Sequence, residues 1–195
     1  MKFTITAGYQ WSQKDKKENT TKENGNVVTT FYSELAIKKI VQGINNRFYK
    51  DNKAKHEGVG ITYKRLRASA GKLMWDSIFK RIVTANAIII DITHPNKNVY
   101  LELGAAMYHS KINEAFSIYL IKDITGNADL LTNVPSDLQG FFVSGYEVVK
   151  GKVVFKDNNS LLMSLVSDIN DYFDIGSKTA VLTDEINYEE AQSSK

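Results

Sequence analysis

Ile88, Ile89 and Ile90 form an uninterrupted β-branched run that stops at Asp91. A strand that is apolar on both faces belongs in a sheet covered on both sides, so this run points to a parallel sheet with helices above and below it. A polar loop with one proline follows. A helical pattern then opens near Asn98 and carries Glu102 in its first turns. Two carboxylates and the asparagines Asn96 and Asn98 are thereby gathered at the carboxyl end of a parallel strand, where open α/β folds place their ligands.

The other segments supply the rest of such a sheet. Lys2 to Ala7 alternates, is rich in β-branched residues and runs into Gly8-Tyr9, so it reads as a first strand. From Ser12 to Asn26 the chain is almost wholly polar and reads as a mobile loop, or as a lid that orders on ligand binding. With Ser33 as N-cap, Leu35, Ile37, Ile40, Val41, Ile44 and Phe48 recur at helical spacing. A second strand is expected at Val59 to Tyr63. A second helix opens at Gly71, with Trp75 and Phe79 on its apolar side. After the isoleucine strand and its helix come a strand at Ala115 to Lys122, a loop or short turn at Val134 to Gly140, and a fifth strand at Phe141 to Val149. Val153 to Phe155 extends a hairpin from it, and Leu161 to Phe173 makes a last helix. This alternation predicts one doubly wound, five-stranded α/β domain over residues 1–175, in flavodoxin-like or Rossmann-like order 2-1-3-4-5, and a polar tail over 176–195.

In that order the first and third strands flank the switch point, so Gly8-Tyr9 and the Asp91 to Glu102 segment face one crevice. Glu102 lies one turn after Asn98, and near a helix N-terminus the dipole favours an ionised carboxylate. An anionic carboxylate in a crevice suits the oxocarbenium-like transition state of glycosidic cleavage. Asp91 could position that glutamate, bind a sugar hydroxyl or handle a proton. On spacing alone, a glutamate that complements the dipole and an aspartate that caps a turn remain the competing readings. Arg65, Arg67 and Ser69 before a helix form a candidate phosphate cradle or a solvated edge. His56, His94 and His109 lack metal-ligand spacing and read as surface or packing residues, with His94 the one candidate proton donor.

Composition excludes some partners. A net charge of +3, dispersed among acidic residues, does not suit a bulk nucleic-acid binder. No cysteine is present, so disulfides and thiolate metal sites are absent. No apolar run is of membrane-spanning length, and the N-terminus reads as a strand, so a cytoplasmic domain is expected.

The segments Ala85 to Thr93 and Asn96-Lys-Asn-Val-Tyr-Leu-Glu-Leu-Gly-Ala-Ala106 resemble the nucleoside 2-deoxyribosyltransferase-like superfamily, which includes nucleotide N-glycosidases and bacterial TIR-like NAD-cleaving proteins. The Val134 to Gly140 segment looks like a Pro-x-Asp-Leu element of bacterial relatives. The resemblance implies Glu102 as catalytic glutamate, with Asp91 beside it, and Gly8, Tyr9 and Asp76 as substrate contacts. It also implies a nucleotide, nucleoside or NAD as the small-molecule ligand, no cofactor, and a homo-oligomer. Two positions depart from the pattern. Asp76 sits further from the central strand than the family's aspartate, and Asn96 stands where deoxyribosyltransferases carry an acidic residue. The second departure argues against base exchange and leaves hydrolysis of a nucleotide or an NAD-directed reaction open. A nucleotide-binding sensor or interaction module without turnover is the alternative from another class.

Overall fold

The computed structural model describes residues 2–9, 18–23, 26–52, 60–66, 74–126, 129–130, 134, 136–138, 140–141, 143–156 and 160–174. The strands are β1 (Lys2–Gly8), β2 (Glu18–Glu23), β3 (Asn26–Phe31), β4 (Gly60–Arg65), β5 (Ala87–Asp91), β6 (Ser117–Asp123), β7 (Val143–Val149) and β8 (Lys152–Phe155). The helices are α1 (Tyr32–Asn52), α2 (Met74–Val83), α3 (Lys97–Ile112) and α4 (160–174).

The main sheet has the order β4-β1-β5-β6-β7-β8. Its first five strands are parallel, and β8 adds an antiparallel sixth through its pairing with β7. The order expected from the alternation of elements, 2-1-3-4-5, is therefore present with the Val153 hairpin appended at one edge. β5 is central and all five of its residues are buried. Each buried isoleucine contributes roughly 1.5–3 kcal/mol through apolar burial.

Side-chain alternation divides the interior into two cores. Phe3, Ile5, Ala7 and Tyr9 of the β1 line, with Ala87 and Ile89 of β5, pack against Ile37, Ile40 and Ile44 of α1 and Leu165 and Ile169 of α4. Ile88 and Ile90 face the other way, onto Ile78 and Ile82 of α2 and Val99, Leu103 and Ala106 of α3. Val134 and Leu138 seal the second core from the loop before β7, where Ser136–Leu138 makes one 3-10 turn.

Three local expectations change. The polar stretch to Asn26 contains β2, which pairs antiparallel with β3 as a separate two-stranded sheet. The threonines and valines of the two segments suit this pairing, and they outweigh the low overall hydrophobicity. Residues 12–17 lie outside the described part. Trp75 and Phe79, expected in the core, are exposed at 41% and 38%. The cause is that α2 turns Ile78 and Ile82 inward instead. Ser33, expected as N-cap, lies within the first turn of α1, which starts at Tyr32. Gly71 and the tail from 176 fall outside the described residues, and no described helix is long and apolar enough to cross a membrane.

Candidate functional site

The parallel register brings the carboxyl ends of β1, β4, β5 and β6 to one edge. Gly8 pairs with Ile90, Ala7 with Arg65 and Asp91 with Ile121. Helices that follow parallel strands run back across the sheet, so the first turns of α2 and α3 lie at this edge as well. Asn96 caps α3: its side-chain Oδ1 accepts from the backbone N–H groups of Asn98 and Val99, both at 3.0 Å.

Glu102 occupies the second turn of α3 and is only 8% exposed. Its Oε2 has no hydrogen-bond partner among the described residues. It lies against Gly8 so closely that a Cβ on Gly8 would run into it, and that Cβ would also sit 3.3 Å from Leu66 Cδ1. Burial without a compensating donor disfavours the charged form. It pushes the Glu102 carboxyl up to about 7. Burial here works against the ionised carboxylate expected from the helix dipole. Desolvation outweighs a dipole effect that fades beyond the first turn.

Asp91 is 3% exposed and lies on the opposite face of the sheet, in line with Ile89 and the α1 core. Its Oδ1 accepts from Thr93 N at 2.8 Å and from the Thr93 hydroxyl, and its Oδ2 accepts from Tyr146 Oη at 2.7 Å. Ser33 at the start of α1 donates to the same carboxylate. Burial pushes the Asp91 carboxyl up, and these donors oppose it. The Tyr146 hydroxyl is raised by its burial and by the charge on Asp91. Thr93 Oγ1 also accepts from Asp123 N at 2.8 Å, which ties the end of β5 to the end of β6.

A third group borders the first core. Tyr9 Oη donates to Glu34 Oε2 at 3.2 Å, and Arg65 pairs with Glu34 Oε1 at 3.2 Å. The Arg65 guanidinium also lies 5.6 Å from the Tyr9 ring centroid. Lys38 adds a second cation on Glu34 at 3.0 Å. Burial, then the Glu34 charge, raises the Tyr9 hydroxyl. Arg65 is thus already paired with a carboxylate of the protein.

The structure thus gathers Gly8, Tyr9, Arg65, Asp91, Asn96 and Glu102 at one edge, on two faces of it. Asp76 stands exposed in the first turn of α2, and Asn98 is exposed although it lies one turn before Glu102. His94 is exposed in the loop after β5. His109 is buried edge-on against Phe116, its ring centroid 4.7 Å away, and burial lowers its pKa. Arg67, Ser69 and His56 lie outside the described residues. Among the described residues no group of three or more histidines and acids is placed to hold a metal.

Sequence reasoning missed Glu34, Ser33 and Tyr146. Glu34 carried a signal, since an acid in the first turn after the first strand must sit near the switch point. Tyr146, in the fifth parallel strand, carried none. The chain matches no family model, no curated protein and no solved structure. The sheet order itself is compatible with flavodoxin-like and nucleoside deoxyribosyltransferase-like folds.

Proposed function

We propose that the chain cleaves the N-glycosidic bond of a nucleoside- or nucleotide-like substrate, with Glu102 as the group that meets the anomeric carbon. One observation carries the reading: Glu102 Oε2 is buried and unpartnered among the described residues, against the backbone of Gly8 at the β1/β5 switch point. A buried carboxyl without a donor is costly to a fold. A sugar centre that becomes cationic supplies the missing partner, and in a dry site the attraction is far stronger than in water.

In this reading the C1′–N bond breaks and its electron pair leaves with the base; a nucleobase takes up a proton from solvent, whereas nicotinamide leaves neutral without one. Glu102, ionised as the cation forms, traps C1′ as an ester or stabilises it for water. Asp91 acts as a positioning residue here, because its oxygens are engaged by Thr93, Tyr146 and Ser33. It fixes the start of the loop that leads to α3. The resemblance of the Asn96 to Ala106 segment to nucleoside deoxyribosyltransferase-like enzymes supports the substrate class, and NAD belongs to the same set.

A nucleotide-binding module without turnover is the second reading. The observation on its side is that Asp91 and Arg65 are already engaged by the protein's own groups. Incubation with nucleosides, deoxynucleotides and NAD, followed by chromatography for free base or nicotinamide, separates the readings. Release that vanishes in Glu102→Gln supports cleavage, and its rate should rise as pH passes through about 7. Saturable binding without product at high protein concentration supports the module and removes the enzyme.

A further inference from the structure

Ser77 of α2 carries a second orphaned polar atom on the Glu102 side of the sheet. It is 9% exposed, and among the described residues its Oγ has no hydrogen-bond partner. A serine inside a helix can bond back to the carbonyl one turn earlier, and Ser77 does not. Glu102 Oε2 is in the same condition. A buried polar atom without a partner weakens a fold, so each such atom calls for an explanation.

The backbone brings the two toward one place. α2 packs against α3 on one face of the sheet, and both helices run back from the carboxyl edge. Arg81, one turn after Ser77 on the same side of α2, donates to the carbonyl oxygen of Arg65 at the end of β4. The next residue in that direction, Leu66, borders the space above Gly8 where Glu102 Oε2 lies. Ser77 stands one turn nearer the edge than Arg81, at the level where Glu102 reaches Gly8 from α3. A hydroxyl and a carboxyl are able to bond each other, yet these two are not bonded, so completing both takes a third group. Asp76, the contact that the resemblance implies on this helix, is exposed. What α2 turns inward at this level is a neutral hydroxyl.

We propose that Ser77, and not Asp76, is the sugar contact supplied by α2, and that it hydrogen-bonds the 2′-hydroxyl of a ribose whose C1′ faces Glu102. The placement of C1′ rests on the glycosidic reading. The 2′-hydroxyl stands on the carbon next to C1′, so a group near Glu102 meets it before it meets the 3′-hydroxyl. The Ser77 hydroxyl can donate to it or accept from it. A 2′-deoxyribose offers neither and leaves Ser77 Oγ buried and unpaired, and a site built to bond a hydroxyl rejects the analogue that lacks it. The site therefore selects ribonucleosides, ribonucleotides or NAD over their 2′-deoxy forms.

The test uses paired ligands that differ only at C2′. They are the common ribonucleosides and their 5′-monophosphates with the 2′-deoxy counterparts, and NAD with its analogue lacking the 2′-hydroxyl of the nicotinamide ribose. Calorimetry follows binding and chromatography follows release of base or nicotinamide, for wild type, Ser77→Ala and Asp76→Asn. Wild type should favour the ribo member of at least one pair. Ser77→Ala should weaken that member by about tenfold and leave the deoxy member within about twofold, so the preference collapses. Asp76→Asn should keep it. Urea unfolding reads the hydroxyl without any ligand: Ser77→Ala should match or exceed wild type in midpoint, because no hydrogen bond within the protein is lost. A preference that survives Ser77→Ala overturns the proposal. So does binding of no pair, or a Ser77→Ala that unfolds at lower urea, since its hydroxyl then serves the fold. The glycosidic reading is judged separately. Ribo-selective binding that depends on Ser77 without any release keeps the Ser77 contact and removes cleavage, whereas release with a ribo-to-deoxy ratio untouched by Ser77→Ala does the reverse.

Discussion

Replacing Glu102 by glutamine should make the protein more stable above neutral pH, although the residue is the centre of the candidate site. Burial moves the Glu102 carboxyl from its ordinary 4.5 to about 7. Between those values the folded chain binds more protons at this position than the unfolded chain does. By linkage, stability then falls as pH rises through that window. Below about 4.5 both states hold the proton and the residue has no such effect. Above about 7 the folded chain carries a buried, unpartnered charge, and the accumulated loss is about 3 kcal/mol at about 1.4 kcal/mol per pH unit. Glutamine keeps the shape and removes the titration. The measurement is urea unfolding of wild type and Glu102→Gln at several pH values from about 4 to 9, taken as a difference so that other groups cancel. The two should agree within roughly 1 kcal/mol at the acid end, given the altered donor pattern of the amide. The variant should be ahead by about 2–3 kcal/mol at the basic end. A flat difference across the range, or a variant that loses ground as pH rises, would refute a buried and uncompensated carboxyl.

Gly8→Ala puts a methyl where Glu102 Oε2 lies, and that oxygen is the free end of a flexible side chain, so it should swing away. Stability should change by only about 1 kcal/mol. Any base-releasing activity should drop by about a hundredfold, the usual consequence of displacing a reacting group by about 1 Å. Tyr146→Phe removes a buried donor to Asp91. It should cost about 1–3 kcal/mol in urea unfolding, because the carboxylate loses a partner where water cannot replace it. Asn96→Ala removes the α3 cap and should cost about 1 kcal/mol, whereas Asn96→Asp should keep stability within a few tenths of that of wild type.

The fold was legible because its signals are local and mutually consistent. The isoleucine run, the helical spacing of Leu35 to Phe48 and the alternation of elements all point to one parallel sheet. The β2–β3 hairpin was obscured by its own composition. Lys22, Glu23 and Asn26 read as solvated loop, although Asn24-Gly25 between Thr-rich and Val-rich segments is a strong hairpin signature. At the site, the proximity of Gly8 and Glu102 follows from strand order and could be read. The charge state of Glu102 could not, because it depends on how many donors reach a side chain, and that is a property of packing. The same holds for Asp91. Beyond the neighbouring Thr93, its partners come from β7 and α1, each remote in sequence, and no pattern near residue 91 announces Tyr146. Trp75 and Phe79 show the converse. Their bulk suggests a core, and only the rotation of α2 reveals that its aliphatic residues take that place.

Asp91 and Glu102 sit on opposite sides of the same sheet, each rooted in a different hydrophobic cluster. A molecule that touched both would clamp one cluster to the other across the end of β5. Its binding energy would then appear as a mechanical coupling between layers that otherwise share only the backbone of the strands. Amide exchange in α1 and α3 should slow together when such a molecule binds. A ligand confined to the Glu102 side would protect α3 and leave α1 unchanged, so the exchange pattern alone would reveal how far across the edge it reaches.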